Sequence, residues 1–490
     1  MGGATILSRI LGFLRDMVFA RMFGASGDTD AFFLAFRIPN LMRRLFAEGS
    51  FSLAFVPVLS EYRAADDRQA LKDLLDHVAG ALLAVLMVLT ALGVLLAPLI
   101  LAIFAPGWYL EGRDEFGLSA QMLRITFPYI LLISLVALSA GILNTFERFL
   151  IPALTPVLLN VALISAALLL STRMETPIMA LAWGVLAAGV IQLAVQLPAL
   201  TRIGLLPRPR WGWRHSGVRR ILKLMVPTLV GSSAAQINLL FDSIIATFLV
   251  TGSVSWLYYS DRLLEFPLGV FGIALATVIL PNLSRKHAQR SAEAFSATLD
   301  WALRLAVLIT LPAAAGLAVL SVPILVTLFQ YQAFEASDVS MSAMSLKAYA
   351  LGLPAFIAVK VLAPGYYARQ DPSTPVRYSL MAMGSNMLLN LLFVGGMVFS
   401  QLPGAHTGLA LASSVAAFIN ATLLYRGLRR CGAYQPSEGW SKVWLGVVLA
   451  CVVMTVVLAT WVPGIEVWLD RKSTRLNSSH SSVSRMPSSA

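Results

Sequence analysis

Long apolar runs broken by short polar turns fill most of this chain. Val78–Phe104, Pro152–Leu170 and Val443–Val462 are each long enough to cross ~30 Å of hydrocarbon as helices. The runs are continuously apolar, whereas the strands of a membrane barrel would alternate between lipid and lumen. The pattern predicts helices near 4–23, 29–60, 76–104, 118–146, 152–171, 177–201, 217–250, 254–284, 297–329, 338–368, 375–400, 405–428 and 440–462. The first two are unusual because they are studded with charge. The first carries Arg9, Arg15, Asp16 and Arg21, and the second carries Asp30, Arg37, Arg43, Arg44 and Glu48. One Arg or Asp facing lipid at a helix centre costs about 2.5–3.5 kcal/mol on insertion scales. Several together require water, a partner charge or an anionic ligand inside a bundle.

Composition makes the membrane reading firm. The 490 residues are 58% hydrophobic and only 13% charged, about half the usual charged share, with a mean hydropathy of +0.76. A net charge of +12 does not require nucleic acid, because its basic residues follow membrane topology. One set of alternate loops holds Arg63, Arg68, Lys72, Arg148, the 202–223 cluster, Arg285, Lys286, Arg290, Arg369, Arg377, Arg426, Arg429, Arg430 and Lys442. The opposite set holds only Arg113 and Arg173, which predicts a cytoplasmic N-terminus. Cys431 and Cys451 form no disulfide framework or metal motif, and the charged first helix does not look like a cleavable signal peptide. The Ser-rich stretch 473–490 cannot span a membrane; it reads as a disordered tail or as a truncated gene end continuing into foreign sequence, with a fourteenth helix lost.

The chain also repeats. Ala31-Phe-Phe-Leu-Ala-Phe lies over Ser255-Trp-Leu-Tyr-Tyr-Ser, and Phe55-Val-Pro57-Val-Leu-Ser60 over Ile279-Leu-Pro281-Asn-Leu-Ser284, both at an offset of 224. Six helices per copy make the copies parallel, related by an axis along the membrane normal, an architecture in which substrate sites lie between halves. The expected organisation is an N-lobe over 1–203, a basic cytoplasmic linker over 204–223, a C-lobe over 224–430, a thirteenth helix within 431–465 and a tail over 466–490. The fold class is an all-α polytopic membrane protein.

Charge gathers at proline breaks in both copies. Arg9 and Asp16 are seven apart and share a helix face, which Arg15 does not. Pro39 is expected to kink or unwind the second helix ahead of Asn40, Arg43 and Arg44. In the matching helix Asp261, Arg262 and Glu265 precede Pro267, with Arg262 and Glu265 placed to pair. A guanidinium fork suits phosphate oxygens, so a diphosphate or other anionic headgroup site is one expectation. Snorkelling or helix-locking ion pairs are the other, especially for Arg21, Arg37 and Asp16. Asp242, with the i,i+4 pair Asn386 and Asn390, offers oxygen ligands for Na⁺ or a protonatable site. Interhelical hydrogen bonding explains the same residues. No metal-protease, Cys/His or P-loop spacing is present.

Several segments resemble one family. They are Ser8-Arg9-Ile-Leu-Gly-Phe-Leu-Arg15-Asp16, Thr29-Asp30-Ala-Phe-Phe, Pro39-Asn-Leu-Met-Arg43-Arg44-Leu-Phe-Ala-Glu48-Gly, Tyr258-Tyr-Ser-Asp261-Arg262-Leu-Leu-Glu265-Phe-Pro267 and Val361-Leu-Ala-Pro-Gly-Tyr-Tyr-Ala-Arg369-Gln-Asp371. Together they resemble the signature segments of the MurJ (MviN) lipid II flippases of the MOP exporter superfamily. The resemblance covers nearly all of 4–462. It implies two six-helix lobes around a V-shaped cavity plus two further helices, in a transporter of the bacterial inner membrane. The implied activity moves undecaprenyl-pyrophosphate-linked peptidoglycan precursor from the cytoplasmic to the periplasmic leaflet by alternating access, without enzymatic chemistry. It further implies functional roles for Arg9, Arg15, Asp30, Arg43, Arg44, Arg262 and Glu265, lipid II and membrane lipids as partners, and contact with the cell-wall synthesis machinery. Coupling to Na⁺, protons or the membrane potential is open. The family's first few residues and its last helix have no counterpart here, and that helix helps line a groove for the lipid tail. Rival functions are export of another lipid-linked glycan or a drug, a polyprenyl-phosphate transferase, and a scaffold. A drug exporter would favour an acidic or aromatic cavity, a transferase would need a metal-binding Asp cluster at a loop, and a scaffold would need no buried charge.

Overall fold

The computed structural model describes residues 2–44, 51–464 and 466–468. Every regular element among them is helical. The first copy opens with α1 (Gly2–Phe23), α2 (Gly27–Met42), α3 (Phe51–Ala64), α4 (Arg68–Leu95), α5 (Ala97–Phe104) and α6 (Pro106–Glu111). It continues through α7 (Asp114–Thr126), α8 (Tyr129–Thr145), α9 (Leu150–Ser165) and α10 (Met179–Arg202). After the basic linker come α11 (Ser216–Ala246), α12 (Ser253–Pro267), α13 (Ile273–Ala288), α14 (Ala292–Val319) and α15 (Ser321–Leu328). The chain then runs through α16 (Ala336–Tyr367), α17 (Ser373–Phe399), α18 (Thr407–Arg430) and α19 (Trp440–Trp461).

Local chemistry sets several of these ends. Asp67 starts α4 by accepting from the amides of Gln69 and Ala70, both at 2.9 Å, and the backbone N–H of Glu335 donates to Asp338 at the start of α16 (3.0 Å). Among the described residues, ten helical stretches are long and apolar enough to cross a membrane. Their outward faces stay apolar: Leu445 on α19 and Leu388 on α17 are 72% and 59% exposed. A face of that kind needs hydrocarbon as solvent.

The 224-residue offset seen in the sequence also fixes the helix boundaries. α4 and α5, at 68–95 and 97–104, recur as α14 and α15 at 292–319 and 321–328. The pair α2 and α3 recurs as α12 and α13, and the start of α11 at 216 recurs as the start of α19 at 440. Core positions repeat as well: Leu59 and Leu283, Leu71 and Phe295, and Leu75 and Leu299 are all buried, each pair 224 residues apart.

Packing divides the chain into two compact units that meet in sequence at Ser255 and Trp256. This boundary falls one helix beyond the basic linker. In the first unit Val218 and Ile221 of α11 join a core built from Phe55, Leu59, Leu74 and Ile142, which keeps α11 with α3 and α4. The second unit is centred on α16, where Leu353, Ile357 and Val361 pack with Leu299 of α14 and Leu424 of α18.

One buried carboxylate in each copy ties down the segment that follows its last helix. In the first, Asp76 of α4 accepts from the amide of Arg208 (2.7 Å), and its carbonyl accepts from the amide of Arg210 (2.9 Å). In the second, Asp300 of α14 accepts from Tyr434 Oη and Trp440 Nε1, both at 2.7 Å, from Arg304 Nε at 2.7 Å, and from the Ser437 hydroxyl. Asp300 is the more heavily bonded of the two, so Asp300→Ala orphans several donors at once. Its expected cost is about 2–4 kcal/mol, and that of Asp76→Ala is smaller. Thermal melts of the detergent-solubilised protein check this ordering; an Asp300→Ala melt matching the wild type would contradict it.

Candidate functional site

The charged first helix resolves into a neutralised pair. Arg15 and Asp16 are both buried; Arg15 donates through Nε (3.0 Å) and Nη2 (2.7 Å) to Asp16 Oδ1. Its Nη1 reaches Asn160 Oδ1 on α9 (3.1 Å), and Asn160 in turn donates to the Ser8 carbonyl (3.0 Å). The helical wheel put Arg15 and Asp16 on different faces. The arginine side chain is long enough to curl around the helix to its chain neighbour, which removes the apparent mismatch. Arg9, on the same helix, is exposed.

Asp30 is also a tie within its unit. Its carboxylate is buried and accepts from the amides of Gly252 and Ser255 (2.7 Å each) and from Ser255 Oγ (2.5 Å). It therefore caps, from a distance in sequence, the backbone that opens α12. Gly252 supports this turn with a φ of +96°, a region open to glycine at little cost. Arg37 donates to Ser243 on α11, in keeping with a helix-locking role for that residue.

The helix runs through Pro39 to Met42, and the irregularity comes just after it. Arg43 and Arg44 form the start of a widened π turn, and Glu48 lies outside the described residues. Arg43 is half-buried and chelates Asn40 Oδ1 through Nε (3.0 Å) and Nη2 (2.8 Å). Arg44 is exposed. The second copy also has a π turn near this level, over Leu268–Gly272 directly after Pro267. Arg262, one turn before that proline, donates to Glu265 (2.6 Å) and lies over the Tyr258 ring at 5.1 Å, bonding its hydroxyl at 3.2 Å. This pair is only partly covered, with side chains 32% and 46% exposed. A widened turn holds backbone groups out of the regular ladder and recurs at functional sites.

Asp242 is half-buried on α11 in the first unit. Asn386 and Asn390 are buried on α17 in the second, 1% and 0% exposed. The two asparagines share a face as their spacing requires.

Sequence reasoning missed the Asp300 cluster and the Asp76 tie. The signal was available in the 224-residue repeat, which aligns the two aspartates. One apolar cavity of the first unit, about 250 Å³ and lined by Val78, Leu82, Leu86, Trp213 and Ile221 among others, has no charged group in its lining to hold an anion. Outside the spans, Asp371 of the last signature segment caps α17. Hydrogen bonds from Thr374 and Ser373 hold its carboxyl below the usual carboxylate range.

The family model described as lipid II flippase MurJ matches residues 19–469. The chain belongs to the MurJ family. A probable lipid II flippase MurJ of Vibrio cholerae is 48% identical over 473 residues, covering 95% of this chain and 88% of the relative. The lipid II flippase MurJ of Burkholderia cenocepacia is 43% identical over 458 residues, covering 93% and 87%. Among solved structures, a lipid II flippase MurJ in an inward closed conformation matches with a TM-score of 0.80 at 29% identity, covering 96% of this chain and 94% of that one. An inward-facing MATE multidrug transporter of the MOP superfamily matches at 0.70 with 15% identity, covering 87% and 94%. That second likeness bears on fold alone. This MurJ-family chain is thus an all-helical, multi-pass membrane protein with a MOP-type fold.

The buried pair gives a direct test. Arg15→Ala strips the buried Asp16 carboxylate of its guanidinium partner, an expected loss of about 3–5 kcal/mol. Arg15→Ala/Asp16→Ala removes both charges and should melt above the single variant. Equal or lower melting of the double variant would show that the pair is not what holds α1.

Proposed function

We propose that this chain is a lipid II flippase, a transporter that carries a polyprenyl-diphosphate-linked precursor of peptidoglycan across the inner membrane. Family membership supports this, together with one physical observation. Arg43 and Arg44 take π geometry just after α2, and Arg262 lies five residues before Pro267 and the π turn that follows it, so both copies hold arginine near an irregular stretch of helix. Charge kept at such a position must return a function that outweighs its insertion cost. Arginine remains cationic when partly desolvated and presents a fork that matches phosphate.

The proposed division of labour follows burial. Arg15, Asp16 and Asp30 hold the scaffold, because their polar atoms are already engaged. Arg43, Arg44 and Arg262 with Glu265, and more weakly Arg9, bind the diphosphate, because their guanidinium groups are half-buried or exposed. Glu265 holds the Arg262 guanidinium in place until phosphate oxygens displace it. Transport then proceeds by alternating access. The basic loop set supports a cytoplasmic N-terminus, so the headgroup leaves a negative interior. Each charge moved gains about 2.3 kcal/mol per 100 mV. Asp242 in the first unit and, separately, the Asn386–Asn390 stripe in the second are the oxygen donors we assign as candidates for a coupling cation. Cell-wall synthesis enzymes are the natural neighbours of such an activity.

In a strain depleted of its own flippase, the wild-type chain should restore lipid II to the outer leaflet in a leaflet-specific assay. Arg44→Ala and Arg262→Ala should each cut that signal at least about tenfold, on the 1.4 kcal/mol scale of one lost charge-assisted contact, while the proteins insert and melt normally. A wild-type chain that restores another lipid but not lipid II would overturn the proposal.

A further inference from the structure

We propose that Asp73, His77 and His215 form a site for one divalent transition-metal ion of the zinc class. Asp73 and His77 are i,i+4 neighbours on α4, so their side chains share a face. His215 arrives from the linker as the residue that opens α11. Asp73 Oδ1 is 3.4 Å from His77 Nδ1, and Asp73 Oδ2 is 3.4 Å from His215 Nε2. One potential ligand atom from each of the three lies within 4.8 Å of the others. Zinc–ligand bonds of about 2.0–2.1 Å in a tetrahedron place ligand atoms about 3.3 Å apart; each ring nitrogen already lies near that distance from one Asp73 oxygen, His77 from Oδ1 and His215 from Oδ2, and a turn of the carboxylate brings a single oxygen to serve both. The imidazoles lie nearly parallel with centroids 4.9 Å apart, and a modest rotation of each ring aims both nitrogens at one point.

The chemistry selects the ion. Two imidazoles and one carboxylate suit zinc and its neighbours, whereas magnesium and calcium prefer oxygen alone. Three protein ligands at a half-exposed site leave a fourth position to water. Two contacts are exchanged on binding. His77 Nδ1 now faces the Asp73 carbonyl at 2.8 Å, and His215 Nδ1 accepts from the Gly217 amide at 3.1 Å. Arg210, whose Nη1 is 3.9 Å from Asp73 Oδ1, is 63% exposed and also reaches Asp76 at 3.8 Å, so it can leave Asp73 without losing a partner.

The surroundings are built for close approach of the linker. A Cβ on Gly212 would lie 2.1 Å from His77 Cδ2, and one on Gly80 would lie 2.0 Å from the Arg210 carbonyl oxygen. The internal repeat supplies a control. Asp76 and Asp300 are equivalent, but Asp73, His77 and His215 align with Ala297, Trp301 and Gly439. The first copy thus adds a ligand set to a tie that both copies share. A bound ion would staple the linker to α4.

The test uses full-length, tag-free protein in detergent, stripped with a chelator and titrated with zinc chloride by calorimetry. One equivalent of saturable binding is expected, unaffected by excess magnesium. Affinity should fall at least tenfold in His77→Ala/His215→Ala and in Asp73→Asn, and stay unchanged in His287→Ala. Zinc should also slow hydrogen exchange of linker amides 204–215 in the wild type alone. If the double variant melts earlier without metal, His77→Gln must show the same loss. The proposal fails if binding is absent, persists in these variants, or leaves linker exchange unchanged.

Discussion

A carboxylate or guanidinium removed from water must find its compensation inside the protein, and the helices of this chain are arranged around that demand. Asp16 is met by Arg15, Asp30 by the amides that open α12, and Asp300 by two ring donors, a guanidinium and a hydroxyl. Each solution joins segments distant in sequence or fixes a helix end. In a membrane chain the apolar faces are nearly indifferent between lipid and protein, so polar contacts and tight packing must specify the arrangement. The charges that stay half-buried or exposed then stand out as the ones available to a ligand.

Burial separates two groups that the sequence presents as one. Arg15 and Arg44 look alike as intramembrane arginines, yet one is enclosed by Asp16 and Asn160 and the other is exposed. On the proposed division, a substitution at Arg15 damages the scaffold before it touches transport. A substitution at Arg44 or Arg262 leaves no buried acid stranded. The distinction matters for any mutational survey of the family, because loss of activity at both positions would have different causes.

Much of the fold was legible in the chain. Hydropathy located most of the helices, since apolar length is a local property, but it placed the starts of α4 and α14 too late because their first turns are polar. It missed interruptions: 118–146 breaks between α7 and α8, and 254–284 is split by a π turn after Pro267. The repeat was visible at Pro57 and Pro281, but its deeper consequence, the paired Asp76 and Asp300 ties, was not. Those aspartates read as ordinary polar residues until their partners at 208–210 and 434–440 are placed, and such partners are set by tertiary packing. For the same reason the helical wheel could not show that Arg15 curls to Asp16, or that Asp30 serves as a distant cap.

The division between scaffold charges and ligand charges can be read most directly from binding. Native mass spectrometry of the purified chain with lipid II and with a neutral glycolipid of equal tail length compares diphosphate recognition across variants. Binding of lipid II should fall sharply in Arg43→Ala/Arg44→Ala and in Arg262→Ala, and survive in Arg15→Ala/Asp16→Ala. Retention of full lipid II binding by the Arg44 and Arg262 variants, or equal binding of the neutral lipid by the wild type, would contradict diphosphate recognition by these arginines.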